Sequence, residues 1–356
     1  MNRSLPAGRC AAALALLAAL CASPAALASA PRTFVSAGPL ASDANASANC
    51  APLAPCRTFA AALGVTAAGG EVVVLDSGGY GGFSIAQSVS IIAPDGVYAG
   101  IGVASGTGIA IAGAGISVTL KGLTINGLGG TTGIGMTEGA SLTLIGVRVA
   151  NFPAAGSHAI FVSSPVDVKI VDTVVHDSYY GVYLQDGPTA IIEHAKVLGT
   201  YTAPGAGGAF GTVYAAFTVD NTSAATATRA ALSDCLANGG DYQGYVALST
   251  AGSAGLVVDG STAVGNYYGV YAGPGSGSSS GTATAAVSNS IFLRNHFALT
   301  AAGSATRVSS SANTITASSG LNFNNLGTGS TVLTTLGNNG ADSVANAGAI
   351  SLVPTK

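Results

Sequence analysis

An all-β solenoid, a coil of short parallel strands, is the fold this sequence predicts. Three observations predict it. Apolar residues recur at strand spacing in a unit of roughly 22 to 29 residues, a period typical of stacked-repeat architectures. No useful stretch between those strands carries a helical period, so the crossover helices of an ordinary α/β sheet are missing. Glycine supplies 51 of the 356 residues while charged residues make up 8%, against about 7% and about 25% in ordinary soluble domains. Short coils with tight turns require that balance.

The same composition excludes several classes. A chain that is 48% hydrophobic is too apolar for a disordered protein. A net charge of -3 with 12 scattered Lys and Arg leaves no basic patch to track phosphates, so nucleic acid is not expected as a partner. The absence of Trp and the presence of two Met argue against a coiled coil or a Met-rich binding groove.

Residues 1–28 read as a secretory signal peptide: Arg3 and Arg9 precede the apolar run from Cys10 to Ala22, and small residues surround a cleavage point after Ala28. Cutting after Ala30 instead would leave Pro31 next to the cut. Ala18, Ala19 and Leu20 before Cys21 do not form a lipoprotein box. The expected product is therefore exported and soluble, with no membrane insertion once the signal is removed. It keeps 10 bases against 15 acids, a net charge of about -5. Of its three cysteines, Cys50 and Cys56 enclose five residues and are expected to form a local disulfide in an oxidising compartment.

Residues 29–70 are expected to be an N-terminal cap with a short helix, and residues 71–356 the coils. The clearest repeats run from Val168 to Val182 and from Leu256 to Val270, aligning without a gap and sharing Tyr-Tyr-Gly-Val-Tyr. Other copies begin near Val118, Leu142, Ala190, Ala230, Ala285 and Val308. Inward residues of successive turns then stack about 4.8 Å apart into one core. A β-sandwich would show turn signals every 8 to 12 residues and no long repeat.

The chain resembles the right-handed parallel β-helix proteins of the pectin-lyase-like class, over nearly all of its mature length. The carriers are the repeat and the opening segment Cys56-Arg57-Thr58-Phe59-Ala60-Ala61-Ala62-Leu63, followed by Gly69-Gly70-Glu71-Val72-Val73-Val74-Leu75-Asp76. The resemblance implies a capping helix with Phe59 and Leu63 inward, then the first coil. A group of secreted bacterial β-helix proteins has a similar opening pattern.

The repeat alignment sets positions 168, 170, 175, 182 and 184 inward, and 169, 176 and 183 outward. The column Val147, Thr173, Ala195, Cys235, Ser261 and Ser290 holds small residues and reads as a buried bend. Cys235 is then a small hydrophobe, with a reactive thiol as the other reading. Outward files run His158, Tyr180, Gln243, Tyr268, Phe297 and, beside them, Phe161, Tyr183, Val246, Tyr271. Tyr179, Tyr180, Tyr183, Tyr268 and Tyr271 are the candidate substrate-binding residues, because an exposed ring stacks on a sugar while its hydroxyl bonds to it. The competing reading is an aromatic ladder that only stabilises the strands.

Ten charged residues and histidines lie between His158 and Lys196. Lys169, Asp172, His176, Asp177, Glu193 and His194 are the candidate catalytic residues. A lyase needs carboxylates to hold Ca²⁺ against an acidic sugar and a base to take a proton; a hydrolase needs two carboxyls about 5 to 9.5 Å apart. Charge dispersed over turns for solubility is the alternative. The pattern departs from the enzymes it resembles. The Trp-Ile-Asp-His and Arg-x-Pro-x-x-Arg segments of pectate lyases, the polygalacturonase motifs and the methylesterase motifs are all missing. No Cys/His spacing suggests zinc, and no cofactor is implied beyond Ca²⁺ for a lyase. Loop insertions are expected near 199–228 and 272–283. The function expected is an exported protein of the envelope or medium that contacts polysaccharide. An enzyme acting on an acidic glycan is the alternative, and a structural or adhesive surface role is third. Nothing in the sequence sets an oligomeric state.

Overall fold

The computed structural model describes residues 29–199, 215–239, 243–275, 280–327, 332–336, 339–341 and 346–353. The signal-peptide reading of residues 1–28 lies outside them. The described strands form three parallel sheets of 13, 11 and 10 strands that wind as one solenoid.

One turn shows how the sequence makes a coil. Asp167–Val171 lies in the first sheet, Val174–Ser178 in the second and Tyr180–Gln185 in the third, and Thr189–Glu193 returns to the first sheet one rung on. Val168, Ile170, Val175, Val182 and Leu184 are buried, while Lys169 and His176 are exposed. The bend between the first two sheets needs one left-handed residue. Asp172 takes it at φ 50°, His194 at 54° and Asp234 at 52°, where neighbouring coils use Gly146 at 60° and Gly260 at 56°. Asp, Asn and His tolerate that region better than other side chains, and Gly tolerates it best.

The repeat copies coincide with one buried column: Val118, Leu142, Val168, Ala190, Ala230, Leu256, Ala285 and Val308 pair in unbroken register. The small-residue column at the bend is buried as well. Its later members form a polar ladder in which the Cys235 N–H donates to Ser261 Oγ at 3.0 Å and the Ser261 N–H to Ser290 Oγ at 3.1 Å. Such bonds satisfy backbone donors left over where the strands bend. Burial pushes the Cys235 thiol up to about 11, so it stays protonated as a packed core side chain.

Two boundaries differ from the sequence reading. Within 29–70, Ala30–Val35 is already a strand of the first sheet, paired with Thr66–Val74. The free edge of Ala30–Val35 is covered by the Cys50–Cys56 disulfide loop: the Phe34 N–H donates to the Cys50 carbonyl at 2.9 Å and the Cys56 N–H to the Phe34 carbonyl at 2.9 Å. An edge so covered does not recruit other strands. The helix Phe59–Leu63 follows, capped by Thr58 Oγ1, with Phe59 buried against Phe83 at 4.5 Å and Leu63 packed on the core. Within 199–228, Ala215–Asn221 is a full rung of the third sheet, paired with Tyr180–Gln185 and Gln243–Ser249. The period broke there because 40 residues separate Ala190 from Ala230, which hides a coil behind the insertion. The 272–283 insertion is bounded by strands reaching Pro274 and starting again at Thr282.

Candidate functional site

The outer face of the third sheet carries two files of side chains in direct register. The first runs His158, Tyr180, Ala215, Gln243, Tyr268, Phe297; the second runs Phe161, Tyr183, Thr218, Val246, Tyr271, Thr300. Rings gather at both ends. His158 stacks on Tyr180 at 4.9 Å with 17° between planes, and Tyr183 meets Tyr180 edge-on at 4.9 Å. At the far end Tyr268 stacks on Phe297 at 5.3 Å and lies 5.1 Å from Tyr271. Tyr180, Tyr183, Tyr268 and Tyr271 are each partly buried and keep an open side. Tyr179 does not join them. It sits at the corner before the third-sheet strand, its N–H bonded to the Phe152 carbonyl and its ring edge-on to Tyr180, and is 1% exposed. Tyr267, its twin in the repeat, is 40% exposed.

Between the platforms, the strands Ala215–Asn221 and Gln243–Ser249 are buried on both faces. Asp220 points to the outer side here. Its Oδ2 accepts from the Tyr183 hydroxyl at 2.6 Å and from Gln185 Nε2 at 3.3 Å, while its Oδ1, Thr218 Oγ1 and Gln243 Oε1 find no hydrogen-bond partner among the described residues. Burial pushes the Asp220 carboxyl up, partly offset by the Tyr183 and Gln185 hydrogen bonds. The same burial, with the Asp220 charge, raises the Tyr183 phenol. Burial alone holds His158 down at about 4. The sequence reading misses Asp220 because it places residues 199–228 in a loop insertion; the alternating Phe217-Thr218-Val219-Asp220 is the signal that reveals the rung.

The six charged candidates do not converge. Lys169 pairs with Glu193 at 3.9 Å on the first sheet, His176 with Asp177 at 2.8 Å on the second, and His194 lies between Asp172 at 3.7 Å and Asp234 at 3.8 Å along the bend. Each side chain is at least 39% exposed, and solvated pairs of this kind are worth about 0 to 1 kcal/mol. Asp172, Asp177 and His194 all have positive φ. Turn geometry therefore accounts for their residue type without chemistry. Among the described residues no group of three or more His, Cys, Asp or Glu is placed to hold a metal ion. Nor is any helix of theirs long and apolar enough to cross a membrane.

Residues 107–282 match the family model described as right handed beta helix region. A solved structure described as a rhamnogalacturonan lyase matches with TM-score 0.47 and 15% sequence identity, covering 90% of this chain and 84% of that one. No curated protein matches the chain. A shared fold does not transfer an activity.

Proposed function

From the premise that the chain is a right-handed parallel β-helix protein, we propose that it is exported and contacts polysaccharide through the outer face of its third sheet, at the cell envelope or in the medium. The carrying observation is the pair of ring platforms, Tyr180 with Tyr183 and Tyr268 with Tyr271, set on the same two files three rungs apart. At rung spacing that is about 14 Å, a distance bridged by a short run of sugars. Ring faces receive the apolar C–H faces of sugars, and the open sides of the four tyrosines are where that contact forms. The Cys50–Cys56 disulfide and the apolar N-terminal run both suit export.

Replacing Tyr180, Tyr183, Tyr268 and Tyr271 together by Ala is expected to weaken retention on the best ligand of a broad glycan array about tenfold or more, at roughly 0.5 to 1.5 kcal/mol per ring. Unchanged retention while the wild type binds would sink this reading.

Asp220 favours a second reading, a lyase or hydrolase acting on an acidic glycan. A buried carboxyl held toward its protonated form, in contact with the Tyr183 hydroxyl, is a proton donor in waiting. Ca²⁺ would serve a lyase by neutralising the uronate carboxylate. The described carboxylates form no cage for it, so the ion enters only as a variable of the assay. Wild type and Asp220→Asn are incubated with uronate polymers, with and without Ca²⁺, and unsaturated product is followed by ultraviolet absorbance. Activity is expected to fall about 100-fold in the variant, which mimics the neutral carboxyl and keeps the fold. No product from the wild type on any polymer removes the lyase.

A further inference from the structure

The outer face of the first sheet is matched to itself. One outward file reads Asp167, Thr189, Arg229, Gly255, Thr284, Arg307, and the next reads Lys169, Ile191, Ala231, Val257, Ala286, Ser309, each in unbroken register. Ile191 is 52% and Val257 47% exposed, and a trough of about 500 Å³ runs over the five rungs from Thr189 to Ser309. Large and small alternate along the apolar file. Asp167, Arg229 and Arg307 are exposed and make no ion pair among the described residues.

We propose that this face joins two copies of the chain, packed sheet to sheet about a two-fold axis that runs parallel to the strands and passes between the rungs of Ala231 and Val257. Such an axis keeps each file opposite itself and reverses the order of rungs. Val257 of each copy then meets Ala231 of the other, and Ile191 meets Ala286, so every large side chain faces a small one. In the charged file Arg307 meets Asp167, and Arg229 meets Gly255, which offers no side chain to clash. An isologous contact forms each pairing twice. A register set one rung to either side would lose the Arg307–Asp167 match.

Size limits the strength. A third outward file, Val171, Glu193, Ser233, Asp259, Ser288, Ser311, lies beside these two; six rungs at about 4.8 Å and three files at about 7 Å span roughly 600 Å² per copy, about 1,200 Å² in all, the low end of specific interfaces. The dimer is therefore concentration-dependent rather than obligate. Its Arg–Asp pairs sit at the rim, where they select the register more than they add affinity.

Sedimentation velocity of the purified protein across the micromolar range tests this. The wild type is expected to shift from monomer to dimer, and Val257→Asp to weaken association at least about tenfold. Arg307→Asp is expected to weaken it too, and Arg307→Asp combined with Asp167→Arg to restore it. Circular dichroism checks that each exposed substitution leaves the coil folded. A wild type that stays monomeric overturns the proposal, as does a Val257→Asp protein that dimerises like the wild type. A double reversal no tighter than Arg307→Asp alone overturns the antiparallel register.

Discussion

Replacing Phe217 by Ala is expected to lower stability by about 3 to 5 kcal/mol. The ring is 1% exposed and stacks on Tyr245 at 5.4 Å with 12° between planes. It continues the inward column from Val182 to Tyr245. Removing it leaves a hole bounded by Tyr245, whose hydroxyl is held near the Cys235 and Thr262 carbonyls at 2.9 and 3.0 Å and which cannot swing to fill the gap. Solenoid rungs touch only their neighbours, so the loss should appear first as faster hydrogen exchange in the strands Tyr180–Gln185 and Gln243–Ser249. Urea denaturation followed by circular dichroism gives the magnitude. A loss below about 0.5 kcal/mol is what a side chain on a surface loop would give, and it would refute the rung at 215–221.

Acid should weaken the fold through His158. Burial lowers its pKa from 6.5 to about 4, so the folded protein holds the ring neutral where the unfolded chain protonates it. Above about pH 6.5 the ring is neutral in both states and does not affect stability. Between about pH 6.5 and pH 4 the unfolded state binds the extra proton and gains, costing the fold about 2 to 3 kcal/mol by pH 4; below that the penalty is constant. His158→Phe keeps a planar ring against Tyr180 and removes the titration. Its stability is expected to match the wild type at pH 7.5 and exceed it by that amount at pH 4, read from paired urea curves. Parallel loss of stability in both proteins would mean that the ring is solvated.

The columns are legible in the sequence alone, and their physical cause explains why. Inward positions of a solenoid repeat the same environment every turn, so Val118, Leu142, Val168 and Leu256 are held to one kind of side chain. Outward positions repeat only geometry. Tyr179 and Tyr267 occupy the same place in the repeat, yet one is 1% and the other 40% exposed. The charge enrichment from His158 to Lys196 looked like a site, yet Asp172, Asp177 and His194 are where the backbone turns left-handed, a demand invisible in composition. Asp220 was lost for the opposite reason: its rung obeys the pattern, but residues 199–214 displaced it from the period.

Because Arg229 and Gly255 share a file and Ala230 and Leu256 share a column, residues 230–255 make one interchangeable turn. Excising them joins Arg229 to Leu256 with every inward column kept inward and every outward file outward, Ala190 then meeting Leu256 and Phe217 meeting Val270. The molecule is thus a ruler graduated in steps of about 4.8 Å. Taking out one graduation brings the two tyrosine platforms from about 14 Å to about 10 Å apart, so the length of oligosaccharide they span becomes an adjustable property of a single backbone.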